Sequence, residues 1–556
     1  NFCNTIFRPT ASCPVRGLPK KIKLREGNFY TEISGLSVDQ PANFVINFLN
    51  ERDECVCHTN PIQVATKPVR RYFWGDLHGQ SEETIGTNTA EAYFKFARDL
   101  AFLDVSAHQG NDFQMTTEFW RHLDNLCKRF NVDGKFVAIP GYEWSGNTSL
   151  GGDRNVFFPS EGRTIRRSSH AMVSDRSDID TDCDTAADLF AAFSENNEDD
   201  VLVYAHCGGR YADIELAHDG RFEKSVEVHS SWGTFEWLVH DAFRLGYRVG
   251  IVANSDGHKG RPGASYPGAG HFGAIGGLTC FLVSELSRNC ILDAMRKRHH
   301  YATSGGPNGR PFISFRASLP KGGILYHDDP RHCDSEGIRV IEGIMGDIIC
   351  VGKSDVEIDV NINAGIGIER VDIFNGRELT KTHRPFKNED LGKRLKIVWE
   401  GAEYRGRFRQ VVWDGTAKFT GNEIISATPI NFFNQDKTLS KTSPTHLKWQ
   451  ALTTGNIGGF EVILDDPYSG NLEIKTPLIS FRLPIEEVGF EDKIFDKSGV
   501  LPRYIKIFRL PDNSLKRQFS FTEKILIKPN VDNPIFIRAT LEDGTLCWTS
   551  PIYLYR

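Results

Sequence analysis

Between Arg71 and about Gly305 the chain alternates short apolar runs with stretches whose apolar residues recur at helical spacing. The runs are Tyr72-Phe73-Trp74, Phe102-Leu103-Asp104-Val105, Phe136-Val137-Ala138-Ile139, Val201-Leu202-Val203-Tyr204, Val226-Glu227-Val228 and Val249-Gly250-Ile251-Val252. Each is strand-length and rich in β-branched or aromatic residues, which predicts buried strands. Between them, Ala90 to Leu100, Thr117 to Phe130, Ala186 to Glu195 and Phe235 to Gly246 predict amphipathic helices. Strands alternating with helices at this spacing predict an α/β fold, a parallel barrel in its simplest form.

The flanks read differently. Over residues 1–68 the pattern predicts short strands at Lys21 to Leu24, Asn28 to Ile33 and Phe44 to Leu49. From about Pro311 to Arg556 alternation returns, as in Val356 to Ile362 and Tyr504 to Phe508, and predicts a sandwich-like domain with one buried face. The organisation expected is therefore an N-terminal β-rich segment (1–68), a strand-helix domain (69–310) and a C-terminal β-rich domain (311–556). At 556 residues the chain is long enough to bury more than one core.

What the strand ends carry is chemistry. In an extended strand, residues i and i+2 point to one face, so Asp76 and His78 are expected to share a pocket that Gln80 could join. Later runs end in His108, Glu143, His206, His229 and the pair Asp256 and His258. In a parallel barrel such strand ends converge on one cavity. Five His, two Asp and one Glu brought together call for a counter-charge, and divalent Zn, Mn or Fe suits that donor set.

These residues carry a resemblance. Gly75 to Gln80, Ser106 to Asp112, Pro140 to Trp144, Ala205-His206, Asn254 to His258 and Gly260 to Tyr266 together resemble the PHP (polymerase and histidinol phosphatase) superfamily, in its branch catalogued as a domain of unknown function. The resemblance implies a distorted seven-stranded barrel, up to three metal ions and phosphoester hydrolysis. It places His78 and Asp256 on a first ion, Glu143 bridging to a second that His206 also holds, and His108 with His258 on a third. Where the superfamily motif reads Asp-Leu-His-x-His, this chain has Gln80 as the last member; where it reads Asp-His-Asp, this chain has Ala107-His108-Gln109. Fewer charged ligands make two ions a safer expectation than three. Asp153 and Asn155 are the candidates for the loop ligand after Glu143.

The expected function is hydrolysis of a small organic phosphoester through a metal-bound hydroxide. Asp256 or His258 would orient the water, and His229 would donate a proton to the leaving group or act as an extra ligand. Arg210, Lys259 and Arg261 would neutralise the substrate anion, and the Gly-rich stretch Gly257 to Gly277 would admit the substrate to the backbone. Two other classes stay open: a metallohydrolase of a carboxylic ester, lactone or amide, and a noncatalytic binding scaffold.

Composition trims the alternatives. A net charge of −6 argues against nonspecific nucleic-acid binding, and the absence of a run of about 18 apolar residues argues against a transmembrane helix. Twelve Cys at irregular spacing fit reduced thiols, hence the cytoplasm. Cys55-Val56-Cys57-His58, with Cys3 and Cys13, reads alternatively as a zinc knuckle or as disulfides. The first residue is Asn1, so a removed signal peptide would instead place the protein in the periplasm. The partner expected is a small-molecule substrate, with homo-oligomerisation through the β-rich regions left open.

Overall fold

The structure is a computed structural model that describes residues 5–24, 31–265, 274–352, 355–406, 410–434 and 436–556. It is mixed α/β and strand-rich. Helices form where the apolar spacing places them: Ala90–Asp99, Thr117–Phe130, Ala186–Glu195 and Glu236–Arg244, with a fifth at Arg288–Lys297. In Thr117–Phe130, Thr116 caps the N-terminus by accepting from the Phe119 amide, and Phe119, Trp120, Leu123, Leu126, Cys127 and Phe130 line one buried stripe. The start of the predicted strand Asn28 to Ile33 lies outside the described residues, and residues 31–33 are not strand. Lys21 to Leu24 shrinks to Ile22–Lys23, and Phe44 to Leu49 is Ile46–Leu49 after the short strand Ala42–Phe44.

Two sheets build the region that holds the candidate ligands. In one, Arg71–Asp76, Val105–Ala107 and Val137–Ile139 run parallel, with Leu278–Val283 antiparallel to the first. In the other, Gly141–Ser145, Asp153–Phe157 and Leu202–Ala205 pair antiparallel, followed by parallel Glu223–Ser230 and Gly250–Ala253. The bridges Gly79 to Gly257 and Asn111 to Glu143, and the hydrogen bond from the Ala253 amide to Thr279 Oγ1, tie the sheets together. Apart from the outer half of Arg71–Asp76, these strands are buried on both faces, which is why Val137–Ile139, Leu202–Ala205 and Gly250–Ala253 read as apolar runs rather than alternations.

The first sheet does not stop at residue 310. His300–Thr303 pairs with Leu546–Thr549, and the sheet continues through Asn533–Leu541, Ile552–Tyr555, Ile348–Val351, Phe312–Tyr326 and Asp355–Asn363 to Gln518–Leu526. Residues 391–511 are inserted into this sheet's connectivity as two five-stranded antiparallel sheets with a core of their own. That core is built around Trp399, which stacks on Trp449 at 5.5 Å and on Trp413 at 6.3 Å. Arg538 fastens the insertion to the rest: its guanidinium donates to Glu236 on the fourth helix at 3.0 Å and to Glu400 in the insertion at 2.8 Å, and Asp372 lies 3.5 Å away.

Candidate metal centre

The strand ends bring His78, Glu143 and His206 together, with ligand atoms all within 4.8 Å of one another and all three side chains buried. Among the described residues no other His, Cys, Asp or Glu group of this kind forms. His78 Nε2 lies 3.6 Å from Glu143 and 3.4 Å from Asp256, and His206 Nε2 lies 3.9 Å from Glu143. Ligand atoms about 2.1 Å from one tetrahedral ion stand roughly 3.4 Å apart, so these spacings suit a shared cation. His78 Nε2 and both ring nitrogens of His206 are buried without a hydrogen-bond partner among the described residues. A buried polar atom left unpaired is costly, and an ion would satisfy His78 Nε2 together with His206 Nε2, the nitrogens that face Glu143. The donor set fits a divalent metal.

Electrostatics point the same way. Glu143, Asp153, Glu227 and Asp256 are all at most 3 % exposed. Burial disfavours ionised Glu143, yet the adjacent His78 imidazole and the charges of His206 and Arg210 hold its pKa below the usual carboxylate range. Burial pushes protons off His78, but Asp256, Glu227 and Glu143 outweigh it and raise its pKa well above that of a free imidazole. His206 is pushed well below by burial and by the His78 charge. Burial and the Glu143 charge drive Asp153 well up against Arg210.

Local structure explains how the ligands are aimed. Asp256 has φ +46°, a left-handed conformation that an Asp tolerates and that commonly marks functional sites. Gly208 packs against the cluster so tightly that a Cβ would sit 2.9 Å from His206 Cε1 and 3.0 Å from Asp256 Oδ2. Gln80 Nε2 donates to Glu143 at 3.2 Å, so this neutral side chain stands beside the cluster. Asn155 is paired opposite Glu143 in the sheet, and both its amide atoms are buried without hydrogen-bond partners among the described residues. Asp153, the alternative loop ligand, takes the Arg210 amide at 2.6 Å and its guanidinium at 3.1 Å.

Other expected site residues lie elsewhere. Asp76 spends its oxygens on backbone amides, accepting from Ser255 at 2.9 Å, Gly263 at 2.8 Å and His78 at 3.3 Å. The strand ends at Asp76, so the period of two that would pair it with His78 no longer applies. His108 Nε2 meets Ser81 Oγ at 2.8 Å inside an edge-on cage of Tyr93 and Phe119, and burial lowers its pKa to about 4. His229 has both nitrogens engaged, with Thr234 Oγ1 at 2.8 Å and the Ile275 carbonyl at 2.9 Å, and its ring stacks on Trp548. That leaves it no nitrogen for a leaving group, and burial holds it neutral with a pKa of about 4. His258 sits 4.0 Å from Asp256, its side chain 25 % exposed and edge-on to Trp232.

Of the three candidate anion binders, Arg210 is beside the cluster. Its guanidinium holds Asp153 and donates to the carbonyls of Ser145 and, at 3.2 Å, Gly146, lies over the Phe113 ring, and stays 30 % exposed. Lys259 contributes its carbonyl to Asn88, and Arg261 is exposed. Residues 266–273 of the Gly-rich stretch lie outside the described residues. Cys55 and Cys57 are exposed free thiols on the strand Cys55–His58.

Sequence reasoning missed Glu227. It is completely buried, accepts from His78 Nδ1 at 3.2 Å and from Asn254 Nδ2 at 2.7 Å, and Asn254 Oδ1 in turn accepts the Leu77 amide at 2.8 Å. The available signal was a carboxylate in an otherwise apolar run, two residues before His229.

With that geometry in place, comparison with known proteins adds the following. Residues 53–210 match the model of a family described as "Protein of unknown function (DUF3604)", a span that contains His78, Glu143 and His206 and stops short of Asp256. An uncharacterized protein of Chlamydia pneumoniae is 22% identical over 316 residues, covering 53% of this chain and 48% of that one. One from Chlamydia muridarum is 21% identical over 317 residues, covering 53% and 49%. The chain thus spans about half the length of these relatives.

Among solved structures, a two-domain protein containing a predicted PHP-like metal-dependent phosphoesterase from Bacteroides vulgatus superposes with TM-score 0.30 at 10% identity, over 83% of this chain and 98% of that one. An amidohydrolase from Chromobacterium violaceum gives 0.24 at 14% identity, over 33% and 87%. These TM-scores lie below the level at which a shared fold follows.

Proposed function

We propose that this chain is a metal-dependent hydrolase acting on a small organic phosphoester, with residues 69–310 as a PHP-type seven-stranded barrel flanked by the β-rich segments 1–68 and 311–556, the latter sandwich-like in its insertion. The observation that carries the reading is the buried His78, Glu143 and His206 group, in which Nε2 of both imidazoles, unpaired among the described residues, faces the Glu143 carboxylate. In this reading His78 and Asp256 hold one ion, and Glu143 reaches toward a second with His206 and Asn155. Divalent ions so held would polarise a phosphoryl oxygen and acidify a water. Arg210, the cation beside the cluster, favours an anionic substrate over a neutral ester or amide. His258, placed beside Asp256 and open to solvent, takes over the proton transfer that the engaged ring of His229 cannot perform.

The test is metal content by plasma mass spectrometry on protein purified without chelator, followed by rates on aryl phosphates and aryl acetates. The expected result is retained Mn, Fe or Zn, with phosphate hydrolysis that Glu143→Gln and His206→Ala both abolish together with metal retention. A wild-type chain that neither holds nor takes up these ions would overturn the proposal. Metal with acetate but no phosphate turnover would shift it to the carbon-centred hydrolase.

A further inference from the structure

His78 is the best-defended side chain of the cluster. Its Nδ1 faces the Glu227 carboxylate at 3.2 and 3.3 Å while Nε2 faces Glu143 and Asp256. Glu227 is itself fixed by Asn254 Nδ2, and the same Asn254 grips the backbone one residue before His78. Ser255 Oγ donates to the His78 carbonyl at 3.0 Å, closing the bracket from the other side. Each of these contacts constrains the His78 ring or the backbone that carries it.

We infer that Glu227 is a positioning residue that dictates which nitrogen of His78 is presented to the cation, and thereby sets how tightly the ion is held. The inference rests on the metal-binding reading above. A carboxylate is acceptor-only, so the proton of neutral His78 stays on Nδ1 and the lone pair stays on Nε2. An imidazole hydrogen-bonded to a carboxylate is also a stronger donor to the ion, and loss of such an outer partner typically weakens metal affinity 10- to 100-fold. Glutamine at this position could turn its amide N–H toward Nδ1 and drive the proton to Nε2, the nitrogen the ion needs. Aspartate keeps the charge at a shorter reach and serves as the partial rescue.

The experiment is competition between full-length protein and a chromophoric chelator for Zn2+ at pH 7, with melting of the metal-free chains as the check on folding. Glu227→Gln is expected to raise the Zn2+ Kd on the order of 10- to 100-fold with the metal-free melt cooperative, and Glu227→Asp to fall between it and wild type. A Kd for Glu227→Gln within about twofold of wild type overturns the inference and leaves the metal-binding reading standing. Should Glu227→Gln fail to fold, Glu227→Asp decides alone: a Kd equal to wild type overturns the inference, and one several-fold weaker supports it. A wild-type chain that takes no Zn2+ from the chelator overturns the metal-binding reading itself.

Discussion

Replacing Arg538 by Met should cost this protein about as much as truncating a large buried apolar side chain. Arg538 is 7 % exposed, and its guanidinium serves three carboxylates from three elements: Glu236 of the fourth helix, Glu400 of the inserted sheets and Asp372 of the strand Ile368–Asn375. Met fills much of the same volume, so packing changes little, but three buried or half-buried carboxylates lose their shared counter-ion. Breaking a buried pair by removing one partner costs about 3–5 kcal/mol, because the remaining charge is stranded. For a 556-residue chain unfolding as one unit, at roughly 2.1 cal/mol/K of unfolding entropy per residue, that corresponds to a fall in Tm of about 3–4 °C. Part of the loss should return in Arg538→Met with Glu400→Gln, since the second change removes the charge that the first leaves uncompensated. The assay is thermal and urea unfolding of the single and double variants, with tryptophan fluorescence reporting the Trp399 stack. A single variant within about 1 kcal/mol of wild type, or a double variant no better than the single, would refute the idea that Arg538 holds the insertion down by charge.

Two further outcomes follow from the buried histidines. Because His78 keeps its proton well above the ordinary imidazole range while His206 is already neutral, metal uptake at pH 7 should release about one proton per His78-bound ion, read by calorimetry in buffers of differing ionisation enthalpy; no buffer dependence would contradict the His78 assignment. His300 lies away from the cluster, its ring on Ser225 and the Ile251 carbonyl, and burial lowers its pKa to about 3. The unfolded chain, with an ordinary pKa near 6.5, therefore binds the proton more tightly, so this contribution is full above about pH 6.5 and is lost as pH falls toward 3. Between pH 7 and 5 the loss is about 2 kcal/mol, and His300→Gln should flatten the stability profile over that interval; an unchanged slope would count against it.

How much of this was readable beforehand depends on whether one period governed the residue. The helix Thr117–Phe130 and the core of Asp355–Asn363 lie where their apolar spacing puts them, because burial on one stripe or one face leaves that spacing in the sequence. His78, Glu143, His206 and Asp256 were legible as a group because each follows or sits in an apolar run, and strand ends converge. Asp76 and His229 looked identical to them in that pattern. What separates them is set by hydrogen bonds made after the strand stops: amides of the loop at Ser255 and Gly263 capture Asp76, and Thr234 with the Ile275 carbonyl captures His229. Such contacts span up to 187 residues and leave no periodic trace. Glu227 was hidden for the opposite reason, being one polar position inside a run that reads as wall. The continuation of the first sheet past residue 310 was illegible as well, since strand pairing between His300–Thr303 and Leu546–Thr549 is a long-range choice.

That last pairing has a consequence for synthesis. The Leu546 amide binds Ser304 Oγ across 242 residues, and Trp548 forms the face on which His229 stacks. A ribosome adding roughly 5–20 residues per second needs about 12–50 s to travel that distance. During this interval the strand His300–Thr303 is finished on one edge and bare on the other, an open template for wrong partners. The chain must therefore wait, with its ligand residues already made, for the strand Leu546–Thr549 before the wall behind them can close, and the window for mispairing in the cell is set by translation speed.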